Sequence, residues 1–142
     1  MTVKFVLAIF LCLVSSAISI DATSHRQTDI QAFWKNFKAA IEKDNKNAVA
    51  GLTKLPLSMP YGVKSVKTKA DFLKRYREIF NGEADAAKCF TKGKLIKEDS
   101  KNYAIYCGFK KTPNDAENTP IKYSFELTKT GWKFAGLDNI NE

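Results

Sequence analysis

Residues 29–49 read DIQAFWKNFKAAIEKDNKNAV, and three large aromatic rings fall within five positions of a lysine-rich stretch. Ile30, Phe33, Trp34, Phe37, Ala40 and Ile41 recur at steps of three and four residues, the spacing that gathers side chains on one helical face. Lys35, Asn36, Lys38 and Glu42 fall largely elsewhere. A helix with so bulky an apolar stripe needs a second apolar layer to cover it, which restricts the chain to folds that supply one. Thr28 and Gln31 have capping-box spacing, so the helix is expected to begin there.

The remaining pattern supplies that layer. KDNKN breaks the first helix and offers Asp44 or Asn45 as cap for a short second one, with Ala48, Val49 and Leu52 on its apolar side. That helix must stop near Pro56, because proline disfavours helical geometry in the residue before it. LPLSMPYGVKSVKT suits an extended excursion or hairpin. Thr68 is a good cap for KADFLKRYREIF, with Asp71 in its first turn. Phe72, Leu73, Tyr76, Ile79 and Phe80 form the buried stripe, and Asn81-Gly82 ends it with residues that tolerate left-handed geometry. EADAAK adds one further turn. Residues 90–97, 102–111, 121–129 and 132–138 then read as strands bounded by glycine, proline or polar clusters. Tyr103, Ile105, Cys107 and Phe109 alternate to one face of the second, and Ile121, Tyr123, Phe125 and Leu127 to one face of the third. Helices first and sheet afterwards predict an α+β fold, with N-terminal helices packed on a curved antiparallel sheet.

The amino terminus carries a different signal. Lys4 precedes an apolar run of ten residues, FVLAIFLCLV, and SSAIS follows with the small residues that a signal peptidase requires. Ten residues are short of the roughly 20 needed to span a bilayer. Residues 1–19 are therefore expected to be a cleaved signal peptide, 20–28 a flexible lead-in and 29–142 a single domain, secreted or periplasmic, with no stable membrane span once cleaved. Cleavage removes Cys12, leaving Cys89 and Cys107, which are expected to form one disulfide in an oxidising compartment, the alternative being two separately buried thiols. The chain carries a formal net charge of +8. Its lysines are scattered singly, without a dense basic run or an Arg-rich arm, so a solvated basic surface is expected and nucleic acid is not.

In order and spacing, FWKNFKAAIEKDNKNAVAGLTKLPL, TKADFLKRYREIF and the terminal GWKFAGLD resemble the NTF2-like superfamily, the α+β cone fold shared with SnoaL-like and cystatin-like domains. The resemblance runs from about Ile30 to Asp138 and rests on aromatic and aliphatic positions. It implies a sheet wrapped around a long first helix, with a conical cavity open at one end. The family includes enzymes, ligand binders and interaction modules, so the fold does not assign an activity.

Catalytic members of the wider fold commonly place a histidine and a carboxylate, or an aspartate base, within the cone. Here the one histidine, His25, precedes the first helix. No catalytic residue, cofactor or metal site is expected, since GxSxG, P-loop, HExxH and paired CxxC signatures are all missing. The favoured reading is an exported, non-enzymatic domain holding a small apolar or amphipathic ligand in the cone, with Trp34, Tyr61, Tyr76, Tyr106 and Trp132 as candidate lining. The alternative is an interaction or inhibitor module that uses its sheet face to form a homodimer or to bind another exported protein. A third reading, a lyase or isomerase, would rest on Asp71 or a tyrosine as base.

Overall fold

A computed structural model describes residues 29–60, 66–112, 115 and 118–141. The expected signal peptide, the lead-in with His25, and Tyr61 lie outside them. Among the described residues nine elements follow in chain order: α1 (Ile30–Glu42), α2 (Lys46–Gly51), β1 (Thr53–Ser58), α3 (Lys69–Asn81), α4 (Ala86–Lys92), β2 (Ile96–Lys97), β3 (Asn102–Cys107), β4 (Ile121–Thr128) and β5 (Gly131–Asn139).

Each helix starts on a side-chain cap. The Asp29 carboxylate accepts from Gln31 N at 2.8 Å and caps α1; Thr28, the expected cap, lies outside the described residues. Asn45 caps α2, accepting from Ala48 N at 3.1 Å, while Asp44 takes a left-handed φ of 49° in the turn before it. Thr68 and Asp71 form a reciprocal capping box at α3: Asp71 N donates to Thr68 Oγ1 at 3.1 Å, and Thr68 N donates back to Asp71 Oδ2 at 3.2 Å. The Thr68 hydroxyl also donates to Asp71 Oδ2, and this bond leads the influences that hold the Asp71 carboxyl below its ordinary range. Asp71 therefore caps a helix, which accounts for its place in the sequence.

The sheet has the order β1-β5-β4-β3-β2. Its four later strands pair antiparallel as expected, but β1 joins the edge parallel to β5, so the sheet is mixed. Pro56 sits within β1, where an edge position spares the ladder a missing N–H. A second departure concerns residues 90–97. Asp85 caps a helix there through Lys88 N at 3.1 Å, so Phe90 belongs to α4 and only Ile96–Lys97 remains strand. The second expected segment is strand over Asn102–Cys107 only, leaving Phe109 beyond its end.

The helical stripes meet the inner face of the sheet in one aromatic cluster. Phe37 is 0% exposed and lies 5.3 Å from Phe125 and 5.6 Å from Phe134, centroid to centroid. From α3, Phe80 stacks on Tyr123 at 6.0 Å and meets Phe134 at 5.4 Å. From α4, Phe90 sits edge-on to Trp34 and to Tyr123, both at 5.1 Å. Offset and edge-to-face pairs of this kind each contribute about 0.5–1.5 kcal/mol beyond their burial. The space between α1 and the sheet is thus filled by rings. A disulfide between Cys89 on α4 and Cys107 at the end of β3 fastens that helix to the sheet.

Candidate functional site

What the rings leave open lies where α3 stops. Its last turn has carbonyls without intrahelical partners, and one of them, Ile79 O, accepts from the Tyr123 hydroxyl at 3.0 Å. Burial pushes the Tyr123 phenol well above its ordinary range, with the Glu83 and Asp85 charges adding to it, so the hydroxyl stays a neutral donor. Gly82 follows with φ −80°, not the left-handed geometry expected of it. Glycine is required there for another reason: a Cβ would stand 2.4 Å from the Glu78 carbonyl oxygen.

Beyond Gly82 the chain turns across the ends of β4 and β5. Lys110 N donates to Glu83 O at 2.6 Å, and Asn139, 5% exposed, reaches Glu83 Oε2 through Nδ2 at 3.4 Å. A pocket of about 230 Å³ opens between these segments. Met59, Ile79, Ile121, Tyr123 and Leu137 give it apolar surface, and Glu78, Glu83, Asp138 and Asn139 its polar groups. Apolar lining with a few converging polar groups is the usual make-up of a small-molecule site.

The residues expected to line a pocket are not brought together. Trp34, 8% exposed, packs between Phe90 and Phe125 in the core. Tyr76, 5% exposed, packs against Phe72 and Phe80, with Lys46 Nζ 5.5 Å from its ring centroid. Burial, aided by the Asp44 charge, pushes its phenol up to about 12. Trp132 stands edge-on to Tyr103 at 5.4 Å and borders a separate hollow with Phe33 and Leu52. Tyr61 lies outside the described residues. Tyr106 pairs in register with Lys122 rather than with the inner row, and its hydroxyl donates to Glu98 Oε1 at 2.8 Å. Lys122 Nζ reaches the same oxygen at 2.6 Å. Burial disfavours the Glu98 charge, but the hydrogen bonds from Lys122 and Tyr106 and the Lys122 charge outweigh it and hold its carboxyl below the ordinary range.

Tyr106 also borders a groove of about 560 Å³ beside the disulfide. Asp85, Lys88, Lys92, Lys110 and Asp115 mix both charges along that groove, and Lys110 Nζ is already held by Asn81 Oδ1 at 2.7 Å. It has no concentrated charge of one sign. The pocket at the end of α3 has both an apolar floor and a single sign of charge among its described lining, and it is the stronger candidate. Its residues gave no motif in the sequence; the legible signal was the inward alternation of Ile121 and Tyr123.

A scan against protein-family models matches none, and a search of curated proteins finds no match. Among solved structures, the chain is similar to an NTF2-like protein of unknown function from Cytophaga hutchinsonii, at 13% identity over 79% of this chain and 88% of that one, with a TM-score of 0.43. It is similar to an NTF-2 like protein of unknown function from Shewanella oneidensis, at 11% identity over 77% and 93%, TM-score 0.42. A hexachlorocyclohexane dehydrochlorinase, LinA type 2, is similar at 12% identity over 82% and 83%, TM-score 0.42. These are distant likenesses.

Proposed function

We propose that this chain is an exported NTF2-like domain without intrinsic catalysis, which holds a small amphipathic molecule in the pocket at the end of α3. The observation that carries the reading is the pocket itself: about 230 Å³ lined by apolar and polar residues from both layers. Burial of an apolar body would supply the affinity, and the polar groups would orient it. Helices on one face of a five-stranded sheet, together with the sequence resemblance, support the family. The apolar run at residues 5–14 and the Cys89 to Cys107 bond support export, since disulfides persist in oxidising compartments. Among the described residues, no helix is long and apolar enough to cross a membrane.

The outer sheet face gives less support to the interaction-module alternative. Part of its charge is already paired, Lys54 with Glu126 and Lys122 with Glu98, both at 2.6 Å, as on an ordinary solvated surface.

Native mass spectrometry of the protein recovered from its host's exported fraction tests the reading. A chain beginning near residue 20 that carries a small-molecule mass, released on denaturation, is the expected result. A bare chain, or one complexed only with another protein, would move the assignment to the interaction module.

A further inference from the structure

Positive charge is spread unevenly over this protein. Residues 86–97 hold Lys88, Lys92, Lys94 and Lys97 and no acid, and all four lysines are exposed. On α4, Ala86 and Phe90 are buried, which turns Lys88, Thr91 and Lys92 to solvent. Lys88 and Lys92 are four residues apart and so share one side of the helix. Gly93 then carries the chain close past β3, where a Cβ would stand 2.5 Å from Ile105 Cδ1, and Lys94 and Lys97 follow directly. Lys97 is the register partner of Tyr103, whose ring meets Trp132, so its side chain leaves the sheet on the helical side.

The first helix extends this face. Trp34 and Phe90 hold α1 against α4, and Thr91 Oγ1 donates to Glu42 Oε1 at 3.3 Å across the seam. Lys38 and Lys35 precede Glu42 by four and seven residues, on the same stripe of α1. Among the described residues, no ammonium group of these six lysines has a hydrogen-bond or ion-pair partner. The bordering acids are engaged: Glu42 by Thr91, Asp85 by Lys88 N at 3.1 Å, and Asp99 by Lys101 N at 2.7 Å. Six lysines outnumber these three carboxylates two to one, and the next acid, Glu98, is neutralised by Lys122 at 2.6 Å.

Charge alone would suit any anion, but the face carries a second feature. Ile96, between Lys94 and Lys97, is 51% exposed and is one of two large hydrophobic side chains standing in solvent among the described residues. Its strand, β2, is the edge of the sheet, so Ile96 and Lys97 leave it on opposite sides and flank that edge. An exposed apolar side chain set among lysines fits a surface that is anionic at its face and apolar just beneath. Lysine stems spread their ammonium groups among head groups while the isoleucine reaches the acyl boundary.

We propose that α4 and β2, with the lysine stripe of α1, form the face by which this protein docks reversibly on a bilayer rich in anionic phospholipid. Each lysine held near such a surface strengthens binding about fivefold, and salt screens the attraction. No residue that lines the pocket at the end of α3 belongs to this face, so docking leaves the pocket uncovered by it.

The test is sedimentation of the purified, oxidised protein with vesicles of phosphatidylcholine, alone or with about one third phosphatidylglycerol. The anionic vesicles should bind it at least tenfold more tightly than the neutral ones, and raising salt from about 50 to 300 mM should release it. Lys92→Gln with Lys94→Gln should weaken binding about 25-fold. Lys69→Gln with Lys74→Gln, the same change of charge at exposed positions of α3, should weaken it less than threefold. Ile96→Ser should weaken vesicle binding at least threefold and leave binding to a soluble polyanion, polyphosphate, unchanged. All five positions are exposed, and circular dichroism checks that each variant is folded. Equal losses from the two lysine pairs would overturn the assignment of the face, because total charge would then hold the protein. Vesicle binding unchanged by Ile96→Ser, or binding to polyphosphate without binding to anionic vesicles, would overturn the bilayer as its occupant.

Discussion

Breaking the Cys89 to Cys107 bond is the perturbation whose size the structure fixes best. The bond closes a loop with a sequence separation of 18, and releasing it returns loop entropy to the unfolded chain. In the chain-entropy description a loop of that length corresponds to about 3 kcal/mol at 25 °C. The native side of the balance should change little, because Cys107 is 1% exposed and a buried thiol packs as a small hydrophobe. Nor should α4 detach: Phe90 is 0% exposed, and burying a phenylalanine contributes about 1.5–3 kcal/mol. At roughly 4 °C per kcal/mol for a domain of this size, Tm should fall by about 12 °C. The comparison is of wild-type protein, oxidised against reduced in urea and refolded with reductant, followed by circular dichroism and by hydrogen exchange of the α4 amides. Reduced protein should unfold in one transition, with α4 protected up to it. A fall of less than about 3 °C would refute the entropic account, and early exchange confined to α4 would refute its docking by Phe90.

Phe37→Ala removes a fully buried ring that lies within 6.4 Å of six others, and should cost about 3–5 kcal/mol in urea unfolding, with Phe37→Leu recovering more than half. Tyr123→Phe leaves the Ile79 carbonyl without its donor and should cost about 1–3 kcal/mol; a loss below about 0.5 kcal/mol would mean that this carbonyl finds another donor. At alkaline pH the buried Tyr76 resists ionisation until about 12, whereas in the unfolded chain it ionises near 10. Its contribution is therefore complete below pH 10 and lost as pH rises towards 12. Melting curves across that window should fall less steeply for Tyr76→Phe than for wild type, and parallel curves would contradict the assignment.

The sequence by itself determined the elements whose pattern is local. Three- and four-residue spacing fixed the buried faces of α1 and α3, and simple alternation fixed the inward rows of β3 and β4. Thr68 with Asp71 announced a helix start because the capping box is complete within four residues. Export cues in the first residues were enough to expect the bond between Cys89 and Cys107. Tertiary structure decided the rest. Residues 86–92 form α4 because Phe90 finds a slot between Trp34 and Tyr123, two partners that no local pattern around Phe90 reveals. β1 is a strand because the edge of β5 was open to a parallel neighbour that could carry Pro56. Trp34 and Tyr76, expected to line a ligand site, pack in the core, and the pocket arose between groups as far apart in sequence as Glu83 and Asn139, separated by 56 residues. Periodicity tells a chain which face must leave water, but which rings fill that space, and where a gap of about 230 Å³ remains, is settled only when the layers close on one another.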